Sequence, residues 1–184
     1  MTLGSVAVFT GSASGDDPAY LSAATAFGGL LGRAGIGLVY GGAHVGLMGA
    51  VADAVLAEGG SVVGVIPEAL VSRELAHTGL TELVVVGTMH ERKAEMASRA
   101  DGFVALPGGA GTLEEVFEVW TWQQLGYHAK PVAFLDTAGY WRPLLDALEG
   151  MARAGFVRRG PLDALVVESD PEAVLARLRE WRGI

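Results

Sequence analysis

The stretch VALPGGAGTLEEVFEVW, Val104 to Trp120, carries the reading of the fold. Apolar residues run into a Pro107-Gly108-Gly109 turn, a further glycine follows, and Leu113, Val116, Phe117 and Trp120 then recur at helical spacing. Strand, glycine turn and helix start make up the first half of a βα unit. In open α/β sheets such turns lie at the carboxyl ends of the strands, where ligands bind. Glycines ahead of a helix suit an anion, because unpaired N–H groups and the positive end of the dipole meet there. Yet Glu114 and Glu115 stand at the same place, so a ligand bound there would meet both an anion seat and carboxylates.

Outward from this unit, short β-rich runs alternate with longer helical patterns. Strands are expected at Ser5–Phe9, Ile36–Tyr40, Ser61–Pro67, Glu82–Gly87, Gly102–Pro107, Pro131–Asp136 and Ala164–Ser169. Helices are expected at Pro18–Gly35, Gly46–Gly60, Met89–Ala100, Thr112–Gly126, Gly139–Gly155 and Pro171–Trp181, with Glu68–Thr81 irregular. This alternation points to a doubly wound, mostly parallel α/β sheet with helices on both faces. An α+β mixture is the weaker alternative. With no linker, repeat or low-complexity tract, residues 1–184 are expected to form one domain.

Composition narrows the function classes. The chain is 51% hydrophobic with only 18% charged residues, as a sheet covered on both faces requires. A net charge of −8 argues against nucleic-acid polymers and anionic membranes, though a few arginines can still hold a small anion. The absence of cysteine removes disulfides, thiolate catalysis and cysteine-bound zinc. The first apolar run lacks a basic leader and is too short to span a membrane, so a cytoplasmic location is expected.

Three glycine-rich turns each follow a strand and precede a helix: Thr10–Pro18, Gly41–Gly49 and Pro107–Thr112. A parallel sheet puts all three on one edge, with Gly11, Ser12, Gly41 and Gly42 as further candidate phosphate contacts. Tight turning alone is the competing explanation for each. No Walker-type loop is present, and GAGTLE has glutamate where the dinucleotide fingerprint has its third glycine. GSASG has Ala13 at the centre of what would be a nucleophile elbow, and His90–Glu91 lacks the second histidine of a helical zinc site. The sequence shows no metal-ligand cluster.

Thr112-Leu-Glu-Glu115 has the spacing of a capping box, in which Thr112 bonds forward and Glu115 bonds back. Glu114 and Glu118 would then favour the dipole or face solvent. A phosphate beside them needs a cation. MHERKAEMASR offers Arg92, Lys93 and Arg99, with Arg92 and Arg99 on one helix face about 10 Å apart. A solvated Glu95–Arg99 pair is the plain alternative, and Arg92 is the best site candidate of the three.

These residues carry a resemblance. MHERKAEMASRADGFVALPGGAGTLEEVFEVWTWQQLG resembles the LOG (LONELY GUY) family of cytokinin riboside 5′-monophosphate phosphoribohydrolases. The family pattern P-G-G-x-G-T-x-x-E is matched in full by Pro107–Glu115, and M-H-x-R-K-x-x-M by Met89–Met96. VFTGSASGDDPAY and YGGAHVGLMGAVADA look like the first two loops of the family, and the likeness runs from Val6 to Phe156. Thr10, where many members have cysteine, is a departure with no expected effect on the chemistry.

The resemblance implies a Rossmann-like fold and a cofactor-free enzyme that hydrolyses the N-glycosidic bond of a nucleoside 5′-monophosphate. It places Glu74, Arg92, Lys93, Gly109, Ala110, Gly111, Thr112, Leu113, Glu114, Glu115 and Thr121 at the substrate, with Arg92 and Glu115 as the catalytic pair. It also implies a homodimer with the site near the interface. Members of the family also carry a lysine decarboxylase label, but that chemistry uses pyridoxal phosphate bound through a lysine. Lys93 and Lys130 are the only lysines, and neither stands in a recognisable pyridoxal motif. The non-enzymatic alternative is a nucleotide-binding or carrier module on the same fold.

Overall fold

The computed structural model describes residues 3–71 and 76–183. Among them, seven strands form one sheet: β1 (Ser5–Phe9), β2 (Gly37–Tyr40), β3 (Val62–Pro67), β4 (Glu82–Val86), β5 (Gly102–Ala105), β6 (Val132–Leu135) and β7 (Val166–Glu168). Every pairing is parallel, in the order β4-β3-β2-β1-β5-β6-β7. The central strands are near-continuous apolar runs because both faces are covered, whereas edge strand β4 is partly exposed.

Helices α1 (Pro18–Arg33), α2 (Gly46–Ala57) and α8 (Pro171–Glu180) pack on one face through Phe27, Leu31, Val51, Val55 and Leu178. On the other face, α4 (Met89–Arg99), α5 (Ala110–Gln124) and α6 (Arg142–Arg153) pack through Met96, Val116, Trp120 and Leu148. Strand residues alternate between the two cores, Val6 and Val8 to the first, Ala7 and Phe9 to the second. Trp120 and Trp141 are buried, whereas Tyr127 and Phe156 stay largely exposed.

Three segments depart from the expected pattern. The irregular segment contains a short helix, α3 (Glu68–Val71). The helix expected from Gly139 starts only at Arg142, because Ala138 at φ 54° and Gly139 at φ 74° make a tight 3-10 turn first. A short helix, α7 (Arg159–Asp163), had no clear periodic signal.

The order of strands positions the site. The order in which strands are added reverses where β1 meets β5, and Phe9 pairs with Ala105 at the shared carboxyl end. Two of the glycine turns therefore leave the sheet side by side, at the kind of switch point where α/β sheets open a crevice.

Candidate active site

The β1 and β5 turns are stitched together. Thr10 Oγ1 and Gly11 N both donate to the Pro107 carbonyl at 3.0 Å. Tyr140 Oη donates to the Gly108 carbonyl at 2.6 Å. A side chain on Gly108 would collide with Thr112 and with the Gly11 backbone, so this glycine serves close packing. Gly109 and Gly111 differ: a Cβ on either would meet nothing. Their open side is the cleft, so close approach by a ligand gives a reason for glycine that the chain itself does not.

Helix α5 begins at Ala110 with Gly109 as its N-cap and no capping side chain. Its first backbone bond, Leu113 N to Gly109 O, leaves the N–H groups of Ala110, Gly111 and Thr112 without an intrahelical partner. The capping box that the Thr112–Glu115 spacing allows does not form. The helix starts two residues earlier than its apolar stripe signals, which puts Thr112 inside the first turn and Glu115 beyond capping reach. A capping box does occur on α4, between Thr88 and Glu91.

Freed from the helix end, Glu115 faces α4. Its Oε1 lies 3.1 Å from Arg92 Nη1, and both side chains are about nine-tenths buried. Arg92 Nε also donates to the Val65 carbonyl at 3.1 Å, so the guanidinium is held from two sides. Burial pushes the Glu115 carboxyl up to about 7, against the pull of Arg92. The neighbouring Lys93 ammonium meets Glu114 at 2.5 Å and Glu118 at 3.1 Å. Burial works against that ammonium, but its hydrogen bond to Glu114 and the nearby Glu118 carboxylate outweigh the effect and hold its pKa above the usual range.

The cleft has two lobes sharing Gly11, Ser12 and Gly109. The larger, about 390 Å³, is lined by Arg92, Glu115, Gly41, Thr112 and the α5 start, with Ala43, Val45, Met48 and Leu70 as an apolar wall. The smaller, about 290 Å³, lies between Tyr20, Tyr140 and Leu47. Together they fall in the size range of small-ligand sites. The larger lobe joins anion-seeking N–H groups, a carboxylate and an arginine within one wall.

Of the residues named from sequence, Gly11, Ser12, Gly41, Arg92, Gly109, Ala110, Gly111, Thr112 and Glu115 come together in the larger lobe. Gly42, at φ 77°, packs behind it against Ile66 and Leu83. Lys93, Leu113 and Glu114 adjoin the site without lining it, and Thr121 is exposed farther along α5. Arg99 points away, paired with Glu95 at 2.6 Å and Glu82 at 2.9 Å. Glu74 lies outside the described residues. Tyr20, Met48 and Tyr140 were missed, because each sits in a helical pattern that reads as core.

Neither lysine offers a free amine to the cleft. Lys93 is enclosed by two carboxylates, and Lys130 Nζ donates to the Ala97 carbonyl at 2.8 Å. Among the described residues, no group of three or more histidine and acidic side chains could hold a metal ion.

Residues 48–178 match a family model described as "Possible lysine decarboxylase". The chain is 49% identical over 176 residues to a cytokinin riboside 5′-monophosphate phosphoribohydrolase from Rhodococcoides fascians, covering 95% of this chain and 89% of the relative. It is 48% identical to one from Arabidopsis thaliana, covering 96% and 81% respectively. Two solved structures share the fold over 98% of both chains. One is a molybdenum cofactor binding protein from Rippkaea orientalis, with a TM-score of 0.73 at 22% identity. The other is the Moco carrier protein from Chlamydomonas reinhardtii, with a TM-score of 0.74 at 19% identity. With close relatives matching along almost its whole length, the chain belongs to the LOG family of cytokinin riboside 5′-monophosphate phosphoribohydrolases.

Proposed function

We propose that the protein hydrolyses the N-glycosidic bond of cytokinin riboside 5′-monophosphates, and of AMP, releasing the free base and ribose 5-phosphate. The observation that carries this reading is the buried Arg92–Glu115 pair beside the uncapped start of α5. A nucleoside monophosphate makes two opposite demands. Its phosphate is anionic throughout and suits the free N–H groups of Ala110, Gly111 and Thr112. Its ribose becomes cationic only as the base leaves, through an oxocarbenium-like transition state.

A carboxylate beneath the sugar stabilises charge that exists only at that transition state, so Glu115 raises turnover more than it raises affinity. In this reading Glu115 also orients the attacking water. Arg92 favours the charged carboxylate against the effect of burial and holds it in position. The apolar wall of Ala43, Val45, Met48 and Leu70 suits a purine with a hydrocarbon N6 substituent.

The protein acts as a cytoplasmic homodimer in this reading. Exposed Leu125, Tyr127 and Phe156 support the dimer, since Arg158 donates to the Gln124 carbonyl and draws the Phe156 segment towards the end of α5. Sedimentation of the purified protein tests that part.

The enzyme reading is tested with Glu115→Gln. Base and ribose 5-phosphate are quantified from AMP, prenylated AMP, GMP and CMP, and nucleotide affinity is measured in parallel. The expected result is retained AMP binding with turnover lowered by about 10²–10³-fold, the scale for losing one preorganised electrostatic contact. A carrier has no use for the Arg92–Glu115 pair, so a parent protein that binds AMP and never releases base would favour the carrier. Full turnover by the variant would move the chemistry to another residue.

A further inference from the structure

Two consecutive cations on α4 face two consecutive carboxylates on α5. Arg92 pairs with Glu115 inside the cleft, and Lys93 pairs with Glu114. Lys93 also reaches Glu118, one turn farther along α5, at 3.1 Å. The Lys93 side chain is only 5% exposed and does not line either lobe of the cleft. Its charge is already met by two anions, which leaves nothing to offer a phosphate.

What this ammonium can do is hold α5. Glu114 and Glu118 are four residues apart, so they lie one above the other on a single stripe of the helix. Fixing that stripe fixes the rotation of α5 about its own axis. Glu115, about 100° around the helix from Glu114, is then turned towards Arg92. We propose that Lys93 is a positioning residue for the reaction: its ammonium clamps α5 through Glu114 and Glu118, aims the Glu115 carboxylate into the cleft, and does not touch substrate. This rests on the phosphoribohydrolase reading and replaces the substrate contact that the family resemblance implies for Lys93.

The clamp has an electrostatic consequence for Glu115. Arg92 and Lys93 face it from α4 and favour its charged form, while Glu114 and Glu118 on α5 oppose it. Removing Lys93 therefore leaves Glu115 less well aimed and harder to ionise.

The test uses the full chain with Lys93→Met, Lys93→Arg and the double variant Lys93→Met/Glu118→Gln. Base release from AMP is followed across pH, and the glutamate carboxyl carbons are titrated by 13C NMR. For Lys93→Met the expected result is KM within about twofold of the parent and kcat lowered at least about tenfold. The acid limb of the rate profile and the Glu115 titration should both move to higher pH, and Lys93→Arg should recover much of the lost kcat. If Lys93→Met does not fold, the double variant, which leaves no charged carboxylate at position 118, reads the same quantities. A large rise in KM with kcat unchanged would make Lys93 a substrate contact and overturn the proposal. So would an unmoved kcat and an unmoved Glu115 titration. A parent protein that releases no base rejects the phosphoribohydrolase reading instead, and the NMR titration still decides whether Lys93 controls Glu115.

Discussion

The Arg92 guanidinium occupies the space that a side chain on Gly41 would fill: a Cβ at position 41 would collide with Arg92 Nη2. The second glycine turn thus serves the site by making room for a cation, and the chain has no slack there. Met48 Cε crowds the same point. Gly41→Ala must expel the guanidinium, and with it the contacts to Glu115 and Val65. The expected loss of stability is about 1–3 kcal/mol, typical of overpacking a filled site. The expected fall in kcat/KM is on the order of a hundredfold, the scale of one lost electrostatic contact. Thermal melts and AMP base release measure the two effects separately.

Gly111 should respond in the opposite way. It has helical geometry, open space where a Cβ would stand, and a place on the cleft wall. Gly111→Ala is expected to stabilise the fold by up to about 1 kcal/mol through helix propensity. It should also weaken ribose 5-phosphate binding by about tenfold, because the methyl group enters the space the anion needs. Denaturant unfolding and calorimetric titration check the pair of outcomes. A variant both more stable and equally tight would remove the phosphate from this turn.

The carboxyl of Glu115, raised from 4.5 to about 7 chiefly by burial, ties activity and stability to pH with opposite signs. The folded chain holds this proton more tightly than the unfolded chain. The resulting stabilisation is full below about pH 4.5 and is lost as pH rises through about 7. Turnover needs the carboxylate, so kcat/KM should climb over the same interval and level off above it. Glu115→Gln should remove the rise in rate. It should also show a flatter stability profile than the parent between pH 4.5 and 8, measured by urea unfolding at stepped pH.

Tyr140→Phe deletes the hydroxyl that donates to the Gly108 carbonyl at 2.6 Å and leaves the ring. The residue is partly exposed, so the expected cost is modest, about 0.5–1 kcal/mol. A looser Pro107–Gly109 turn should raise KM for AMP several-fold with little change in kcat, which steady-state kinetics resolves.

The sheet was legible because its strands are nearly pure apolar runs, the mark of burial on both faces; β1 begins and ends at the residues expected. The start of α5 was misjudged because Ala110 and Gly111 belong to the helix yet carry no apolar stripe. With Thr112 taken as the cap, Glu115 had two candidate partners, its own helix end and Arg92, and periodicity could not choose between them. The choice depends on α4 and α5 lying side by side, a tertiary fact. Tyr20 and Tyr140 were hidden for a related reason: they are far apart in the chain, and their rings meet at 5.4 Å only because the strand order brings the start of α1 beside the turn after β6. The role of Lys93 was beyond sequence reasoning, since a buried and an exposed lysine on an amphipathic helix look alike.

Pairing β5 with β1 instead of with β4 has a consequence for how the molecule comes together. Thr10 and the Pro107 carbonyl are 97 positions apart, so the crevice exists only after half the chain has been closed into one loop. The strands from β1 to β4 can associate through nearer neighbours, whereas the crevice depends on a late, entropically costly closure. In refolding, recovery of nucleotide binding should therefore lag behind recovery of secondary structure.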